Sequence, residues 1–351
     1  MSLRVGLLGY YGRGNIGDEA VLAGTLAGLR TLAPEAEPIV FSYDPPATQQ
    51  EHGAAARQMK SVNTAAIAAR LSGVDCLVLG GGGLLNDYRL SGLVFYAHWV
   101  AVASMLGRRV MLHAVGVGPL RTRTGRVLAR WIARRCCSVS VRDEMSRGLL
   151  GRADALLGAD AALLMAPPSP PRQPGRMATI IPRRWAEGFP RQGLAALADW
   201  LAGQGFEPVL LAMHPQLDLP ALRAVRDQAA RPVRVIEDLL TAQEAFALLG
   251  SAGLVISMRL HGVLFAAMQG VPVVGIAYDD KLSALLGELG CAGQSVSLGD
   301  ATAPRLIDAA ARTLAVREEL SARLVSGCER LRARVQAAIA LLHEFVKASA
   351  R

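Results

Sequence analysis

Residues 254–281 read LVISMRLHGVLFAAMQGVPVVGIAYDDK. Two short apolar runs rich in β-branched residues lie on either side of a helical segment, which is the pattern of a β-α-β unit in a parallel sheet. The first predicted strand leads into Arg259 and His261, and a short helix begins at or just after His261. The second predicted strand leads into Tyr278 and Lys281, where another helix begins.

The strand ends in this unit predict a cationic site. Consecutive strands of this kind usually lie side by side, ~4.8 Å apart, with a right-handed connection. We therefore expect Arg259, His261 and Lys281 to converge at the positive N-terminal ends of two helices. Such a cluster suits a phosphate or a carboxylate, and its histidine can transfer protons near neutral pH. Taken singly, His261 could instead cap its helix and Lys281 could form a surface ion pair, although the chain has only two other lysines, Lys60 and Lys347.

The same alternation of strands and helices continues through the chain and predicts an α/β protein with two Rossmann-like domains that face each other across a cleft. Residues 166–175 read APPSPPRQPG, and this density of prolines excludes a helix or a strand. We expect a first domain over 1–166, a linker over 167–175, a second domain over 176–325, and a C-terminal helix over 326–351 that packs back on the first domain. Strands are predicted near Arg4–Leu8, Pro38–Ser42, Cys76–Leu79, Val110–Val115 and Ser138–Val141, and then near Ala178–Ile181, Pro208–Met213, Val233–Ile236, Leu254–Ser257 and Val271–Ala277.

Composition narrows the class of partner. The chain has 351 residues, of which 52% are hydrophobic and 19% charged, a globular composition. Its 38 lysines and arginines against 29 acidic residues give a net charge of +9, which favours anionic partners such as phosphorylated substrates or anionic lipid. Aromatic residues make up only 5% of the chain, too few to favour the base stacking of a nucleic-acid-binding protein.

Cysteines and apolar stretches predict a protein of the cytoplasm. The five cysteines form no C-x-x-C pair and no zinc spacing, and no acidic cluster is typical of a metal site, so we expect reduced, buried thiols and no metal. Arg4–Leu8 runs directly into a charged, glycine-rich turn, unlike a signal peptide. The most apolar stretch, Gly92–Leu106, is shorter than the ~20 residues that span a bilayer. We expect a cytoplasmic protein that at most binds the inner face of the cell membrane.

Residues 9–19 read GYYGRGNIGDE and form a glycine-rich loop between a predicted strand and a predicted helix. The loop contains the G-x-G-x-x-G spacing of dinucleotide sites, and Asp44 closes the next strand. Two details argue against a dinucleotide: two tyrosines lengthen a loop that should be tight, and Asp18 and the following glutamate would meet a pyrophosphate with like charge. We expect Gly14, Asn15 and Asp18 to belong to a ligand loop of another kind, with a purely structural turn as the alternative.

A second glycine cluster follows the strand predicted at Cys76–Leu79. Residues 80–83 are four consecutive glycines, which allow a close approach of the backbone to a ligand and whose N–H groups can form an anion-binding nest. The alternative is a flexible turn, which would need fewer glycines.

Arg142 lies at the end of the predicted strand Ser138–Val141. This is the edge of the sheet at which open α/β folds bind ligands. The alternative for this arginine is an ion pair with Asp143 or Glu144.

Basic residues recur from Arg121 to Arg152. On the helix predicted over Thr124–Arg135, three arginines share one face and apolar residues occupy the other. Such a helix usually presents a solvated face above a core stripe, and the functional alternative is a patch that rests on anionic membrane lipid. The arginines are Arg126, Arg130 and Arg134, and the apolar residues are Val127, Leu128, Trp131 and Ile132.

Together these motifs resemble the polysaccharide pyruvyl transferase family, and within it the CsaB type. The resemblance extends over nearly the whole chain. It rests on five ordered motifs, namely GYYG and GNIGDE in residues 9–19, LGGGG in 79–83, VRDE in 141–144, RLHG in 259–262 and YDDK in 278–281.

The resemblance implies a fold like that of GT-B glycosyltransferases and an enzyme that uses phosphoenolpyruvate as co-substrate, with no further cofactor. Such an enzyme moves an enolpyruvyl unit onto a sugar and forms a 4,6-linked pyruvate ketal. In the CsaB type the acceptor is N-acetylmannosamine of a lipid-linked cell-wall polysaccharide precursor, and the acidic ketals help to anchor S-layer proteins.

The family's essential arginine, histidine and lysine correspond to Arg142, His261 and Lys281. Phosphoenolpyruvate carries a carboxylate and a phosphate, so we expect the two cations to hold it and His261 to act as general acid and base. Arg259 is a secondary candidate for the donor. The other candidates for substrate binding, of which the first two could hold the acceptor sugar or supply a second base, are Asn15, Asp18, Gly14, Gly81, Gly82, Gly83, Asn86, Tyr278 and Asp280.

Two other functions stay open. A nucleotide-sugar glycosyltransferase can use the same architecture, because fold does not fix function; it would need Glu237 or Glu244 to reach a ribose. A non-catalytic binder of anionic polymer would use the basic surface alone and would not depend on His261.

Overall fold

In the computed structural model, which describes residues 3–166, 175–183 and 188–350, the strands form two separate parallel sheets. The chain divides into two units: the first contains Met1–Arg13, Asp18–Met165 and Leu331–Arg351, and the second contains Gly14–Gly17 and Ala166–Arg330. Most of the segment predicted as a linker lies outside the described residues.

The first sheet has the strand order β3-β2-β1-β4-β5-β6-β7, and every pair of neighbours is parallel. Strand order reverses between β1 and β4, which makes the loops after these two strands the ligand-binding position of a doubly wound sheet. The strands are β1 (Leu3–Leu8), β2 (Ala36–Ser42), β3 (Ala55–Gln58), β4 (Cys76–Gly80), β5 (Arg109–Val115), β6 (Ser138–Val141) and β7 (Leu156–Leu157). The helices of this unit are α1 (Ile16–Leu32, of which the first two residues group with the second unit), α2 (Pro45–His52), α3 (Thr64–Arg70), α4 (Leu90–Met105), α5 (Arg123–Arg135) and α6 (Glu144–Leu150), and a 3₁₀ turn spans Ala161–Leu164.

The second sheet repeats this topology in the order β10-β9-β8-β11-β12-β13, again all parallel. Its order reverses between β8 and β11. The strands are β8 (Met177–Ile181), β9 (Glu207–Leu211), β10 (Arg234–Ile236), β11 (Ala252–Ser257), β12 (Val273–Ala277) and β13 (Ser295–Ser297). The helices are α7 (Arg191–Gly203), α8 (Pro215–Arg226), α9 (Ala242–Gly250), α10 (Leu260–Met268), α11 (Asp280–Glu288) and α12 (Ala303–Ala315), with 3₁₀ turns at Ala292–Gln294 and Leu298–Asp300.

Each sheet is buried because its strands are almost continuously apolar, as parallel sheets require. On one face of the first sheet, α3, α4 and α5 pack over the strands; the ring of Trp99 of α4 packs at a tilt of 56° against that of Phe41 of β2, with ring centroids 4.8 Å apart. In the second unit, Leu194 of α7 and Leu222 of α8 pack with Ile256 of β11. The predicted α/β class with two Rossmann-like sheets is confirmed.

The last helix, α13 (Arg317–Ser349), contains the boundary between the units, since Leu331 and the residues after it group with the first unit. Within that unit a β-carbon at Gly28 of α1 would lie 2.5 Å from Ile339, and Arg334 donates from Nε to the carbonyl of Gly158 at 2.7 Å. No helix among the described residues is long and apolar enough to cross a membrane.

Two details of the sequence interpretation are wrong. Val127 was expected to face the core, but it is 64% exposed; the buried side of α5 is formed by Ile132, as expected, together with small residues such as Ala129. Cys137 is exposed, whereas the other four cysteines are buried as expected.

Candidate functional site

The expected adjacency of the two strands in residues 254–281 is confirmed, because β11 and β12 pair in parallel with Ser257 opposite Gly275. Arg259 is the N-cap residue of α10, and His261 is the second residue of that helix. Lys281 is the second residue of α11, and its N–H donates to the N-cap carboxylate of Asp279 at 3.2 Å. Neighbouring strands thus end in loops that carry the three predicted cations at one edge of the sheet.

The guanidinium of Arg259 is already ion-paired, a contact that the sequence did not predict. It donates to Oδ1 of Asp218 on α8, and the two side chains are only 11% and 1% exposed. The other carboxylate oxygen of Asp218 accepts from the N–H of His214 at 2.9 Å. Asp218 therefore fixes the orientation of the Arg259 guanidinium and offsets its positive charge. An anion that binds here would meet less net positive charge than Arg259 alone would supply.

Arg183 is a candidate that the sequence interpretation missed. It follows β8, which lies beside the point where strand order reverses. Its backbone N–H donates to Sδ of Met258, in the loop after β11, at 3.4 Å. Its side chain donates to the hydroxyl of Tyr278 and lies 4.7 Å above that ring. Burial raises the pKa of Tyr278 despite the nearby positive charge of Arg183. A basic residue directly after a buried strand is the signal that could have identified Arg183.

His261 fits against a glycine of the second unit. A β-carbon at Gly17 would lie 2.2 Å from Nδ1 of His261, so only glycine leaves room for the imidazole there. The neighbouring Ile16 donates from its N–H to the carbonyl of Met213 at 3.0 Å, which ties this short segment to the β9 end. The imidazole also meets Phe265 edge-on, with centroids 6.2 Å apart. Gly17 was quoted in the sequence motif, but its packing role was not predicted.

In the first unit, the glycine cluster after β4 packs on the start of α1. Gly81 and Gly82 have φ angles of +68° and +63°, and β-carbons there would lie 1.7 Å from Val21 and 2.4 Å from Oδ1 of Asp18. The carbonyl of Gly82 also accepts from the N–H of Gly116 at 2.8 Å. Close packing thus explains two of the four glycines, and an anion-binding nest stays a prediction.

The loop after β1 is held by a carboxylate of its own. Gly12 has φ +72° and donates its N–H to Oε1 of Glu19 at 2.7 Å. The other oxygen of Glu19 meets His52, and Glu51 brings a third possible ligand atom within 4.8 Å of both. Because the carboxylate of Glu19 already has hydrogen-bond contacts with Gly12 and His52, these contacts explain the conformation of the loop without a bound ion. The glutamate lies where a dinucleotide would bring a pyrophosphate, which agrees with the argument against that ligand.

Arg142 is buried in a double ion pair. Its guanidinium lies 3.2 Å from Asp160 and 3.4 Å from Asp143, and a β-carbon at Gly116 would come within 2.8 Å of it. Burial alone would lower the pKa of Arg142, but the two carboxylates raise it. The alternative of a pair with Asp143 is therefore present in the structure, Asp160 was missed, and Glu144 pairs with Arg147 instead.

The other predicted site residues are distributed over both units. Asn86 donates to the carbonyl of Gly83 at 2.6 Å, and Asn15 accepts from the N–H of Gly17 at 3.3 Å. Asp280 is exposed in the first turn of α11. Gly14, a member of the second unit, has φ +69°.

The two glutamates required by the glycosyltransferase alternative have other partners. Glu237 forms an exposed ion pair with Arg223, and Glu244 completes the capping box of α9 with Thr241.

The chain matches the sequence profile of one family, described as polysaccharide pyruvyl transferase, over residues 15–280. No curated protein sequence matches it. Among solved structures, it is similar to UDP-GlcNAc 2-epimerase from Neisseria meningitidis bound to UDP-GlcNAc, with 12% identity, coverage of 97% of this chain and 99% of that chain, and a TM-score of 0.63. It is also similar to Anabaena HepE in complex with UDP-glucose (11% identity, 99% of both chains, TM-score 0.62) and to Acinetobacter baumannii MurG (14%, 97% and 99%, 0.56). At such identities these likenesses establish the fold alone.

Proposed function

The chain belongs to the polysaccharide pyruvyl transferase family, and from this membership we propose that it transfers the enolpyruvyl unit of phosphoenolpyruvate to a sugar and closes a 4,6-linked pyruvate ketal. The observation that carries the proposal is the family match over residues 15–280, which includes Arg142, Arg259 and His261. For the acceptor we propose N-acetylmannosamine of a lipid-linked cell-wall precursor, as in the CsaB type, with the acidic ketals serving to anchor S-layer proteins. The reaction would then take place at the cytoplasmic face of the membrane.

The donor is an anion with a carboxylate and a phosphate, so its site needs cations at fixed positions. In the second unit, Lys281 and Arg259 follow neighbouring strands, and Arg183 joins them at the same edge of the sheet. Lysine supplies a compact charge and arginine a bidentate fork. The family resemblance also assigns Arg142 to the donor, and the fixed orientation that Asp160 and Asp143 impose suits a directional hydrogen bond more than a general attraction for anions.

His261 is proposed as general acid and base. One sugar hydroxyl attacks C2 of phosphoenolpyruvate while a proton is delivered to C3, so that the methylene becomes a methyl group. The bond between C2 and the phosphate oxygen then breaks, and the second hydroxyl attacks C2 to close the ketal. Of the two hydroxyl protons, one replaces the proton used at C3 and the other leaves with phosphate, so no oxidant or metal is needed for the balance. Asn15 or Asp18 is proposed to hold the acceptor.

The test is incubation of the purified chain with phosphoenolpyruvate and a panel of water-soluble aryl glycosides. We expect phosphate release that depends on one glycoside, whose mass increases by one pyruvate ketal. His261→Ala should abolish turnover while donor binding, measured by calorimetry, persists. Gly287→Ala is a matched control, because a β-carbon on this glycine meets nothing within 4 Å.

Release of a nucleotide from a sugar donor, with no phosphate from phosphoenolpyruvate, would instead identify a glycosyltransferase. Salt-sensitive binding of an anionic polymer that is unchanged in His261→Ala, with no turnover of either donor, would identify a non-catalytic binder.

A further inference from the structure

One region of the first unit has an unusually one-sided charge. From Tyr88 to Arg142 the sequence contains ten arginines and no aspartate or glutamate. This stretch comprises α4, β5, α5 and β6, together with the loops that connect them. Five of these arginines lie on α5 and two, Arg89 and Arg121, lie just before α4 and α5, whereas α4 itself carries none and Arg142 is buried. The exposed positive charge is therefore found mainly on α5 and at the starts of these two helices, which pack on the same core cluster.

The N-terminal ends of these helices are locked together at the carboxyl edge of the sheet. The carboxylate of Asp87, just before α4, accepts from the N–H groups of Arg121 and Thr122 and from the hydroxyl of Thr122, at 2.7–2.8 Å. The guanidinium of Arg121 lies 5.8 Å above the ring of Tyr88. The start of α3 is joined to α4 by the hydrogen bond between Thr64 and His98. The starts of α4 and α5 thus meet at one edge, and the start of α3 lies beside the middle of α4.

Apolar side chains are exposed within the first two turns of α4 and α5 and just before α3. On α4 and the residue pair before it, Tyr88, Leu90 and Val94 are 39%, 38% and 50% exposed. On α5, Val127 is 64% exposed, and Val62, just before α3, is 77% exposed.

We define the arginine-apolar face by five exposed apolar residues and three exposed arginines that precede or begin α4 and α5. The apolar residues are Val62, Tyr88, Leu90, Val94 and Val127, and the arginines are Arg89, Arg121 and Arg123. Exposed apolar side chains together with arginines are typical of surfaces that lie in the interface of a bilayer.

We infer that the arginine-apolar face docks on an anionic lipid bilayer. Arginines attract anionic headgroups, and each contributes roughly a fivefold increase in affinity near a charged surface. The aliphatic side chains then enter the boundary between headgroups and acyl chains. A second copy of the same face is disfavoured, because it would oppose arginines to arginines. The inference deepens the proposed function, since docking would bring a lipid-linked acceptor to the enzyme, but the binding itself depends on this face alone.

The experiment is co-sedimentation of the full chain with vesicles of neutral phosphatidylcholine and with vesicles that also contain phosphatidylglycerol. We expect binding that requires the anionic lipid and weakens with salt. Replacing Arg121 and Arg123 by glutamine should weaken it by roughly twentyfold, and Val94→Ser with Val127→Ser by about tenfold. The matched control replaces Arg312 and Arg323, two exposed arginines of the second unit, by glutamine and should bind as the parent does. Circular dichroism verifies that each variant is folded.

The outcomes separate the two proposals. Every variant should keep full turnover of a water-soluble glycoside, because none of the altered residues is assigned to the reaction. No preference for anionic vesicles, or equal losses in the control variant, would overturn the membrane inference and leave the transferase proposal standing. Normal vesicle binding without phosphate release would refute the transferase proposal alone. Loss in the arginine variant but not in the valine variant would mean that any polyanion suffices, which also overturns docking on a bilayer.

Discussion

The imidazole of His261 lies so close to Gly17 that a β-carbon at position 17 would be 2.2 Å from its Nδ1. No real β-carbon tolerates that approach, so the ring would have to move. The position of the proposed acid–base residue therefore depends on a residue that carries no functional group itself.

Gly17→Ala should reduce kcat by about a hundredfold, the scale expected when a catalytic group is displaced by about 1 Å. Stability should not fall with it, because alanine is the better residue for the first turn of α1. Steady-state phosphate release and thermal unfolding are measured on the variant and on Gly287→Ala, whose β-carbon meets nothing. Equal kcat values for the two variants would show that His261 does not need this space.

Arg142→Met should lower the free energy of unfolding by about 3–5 kcal/mol, because it leaves Asp160 and Asp143 buried without their cation. Chemical denaturation followed by tryptophan fluorescence measures the loss, since Trp99 is buried in the core of the same unit. Adding Asp160→Asn to this variant should restore part of the stability.

Stability that stays within about 0.5 kcal/mol of the parent in Arg142→Met would mean that the ion pairs are unimportant for folding. If the double variant of Arg142→Met and Asp160→Asn regains stability but is still inactive, that result would support the assignment of Arg142 to the donor.

The positions of most strands along the chain could be predicted from the sequence because they depend on local patterns. Buried parallel strands are continuous apolar runs, so the central strands of both sheets were predicted to within a few residues, as at Ser138–Val141. The edge strands β3, β7 and β13 were missed because they have only two to four residues and few apolar ones. The motif residues at strand ends were found for the same reason, since parallel strands bring their carboxyl ends to one edge.

The partners of those residues were out of reach because they lie far away in sequence. Asp218 is 41 residues from Arg259, Asp160 is 18 residues from Arg142, and Arg183 is 95 residues from Tyr278. No periodicity records such pairs, and a glycine that makes room for a histidine looks like any other loop glycine. Sequence thus identified three candidate cations and the neighbouring Asp143, but neither Arg183 nor the distant carboxylates Asp218 and Asp160.

Asp87→Asn should destabilise the protein by about 1–2 kcal/mol at neutral pH, because the carboxylate accepts three hydrogen bonds from Arg121 and Thr122. Those bonds lower the pKa of Asp87 even though burial opposes the shift. A carboxyl with a lowered pKa in the folded state stabilises the fold above its unfolded pKa, and this contribution is lost as pH falls through the lower, folded value. Denaturation at several pH values should show the parent and the variant converging in acid, and a constant difference would contradict this role.

His113 on β5 should make the first unit sensitive to mild acid. The imidazole is fully buried, neither ring nitrogen has a hydrogen-bond partner among the described residues, and burial lowers the pKa of His113 to about 4. The unfolded chain, with a value near 6.5, then binds a proton that the folded chain rejects, so stability falls as pH drops from about 6.5 towards 4, by up to about 3 kcal/mol. His113→Leu removes the titrating group and places an apolar side chain in the buried position. The difference in unfolding free energy between variant and parent should therefore grow in favour of leucine over this pH window, while the carboxylates shared by both chains cancel. Parallel pH profiles for the two chains would show that His113 becomes protonated without unfolding the sheet.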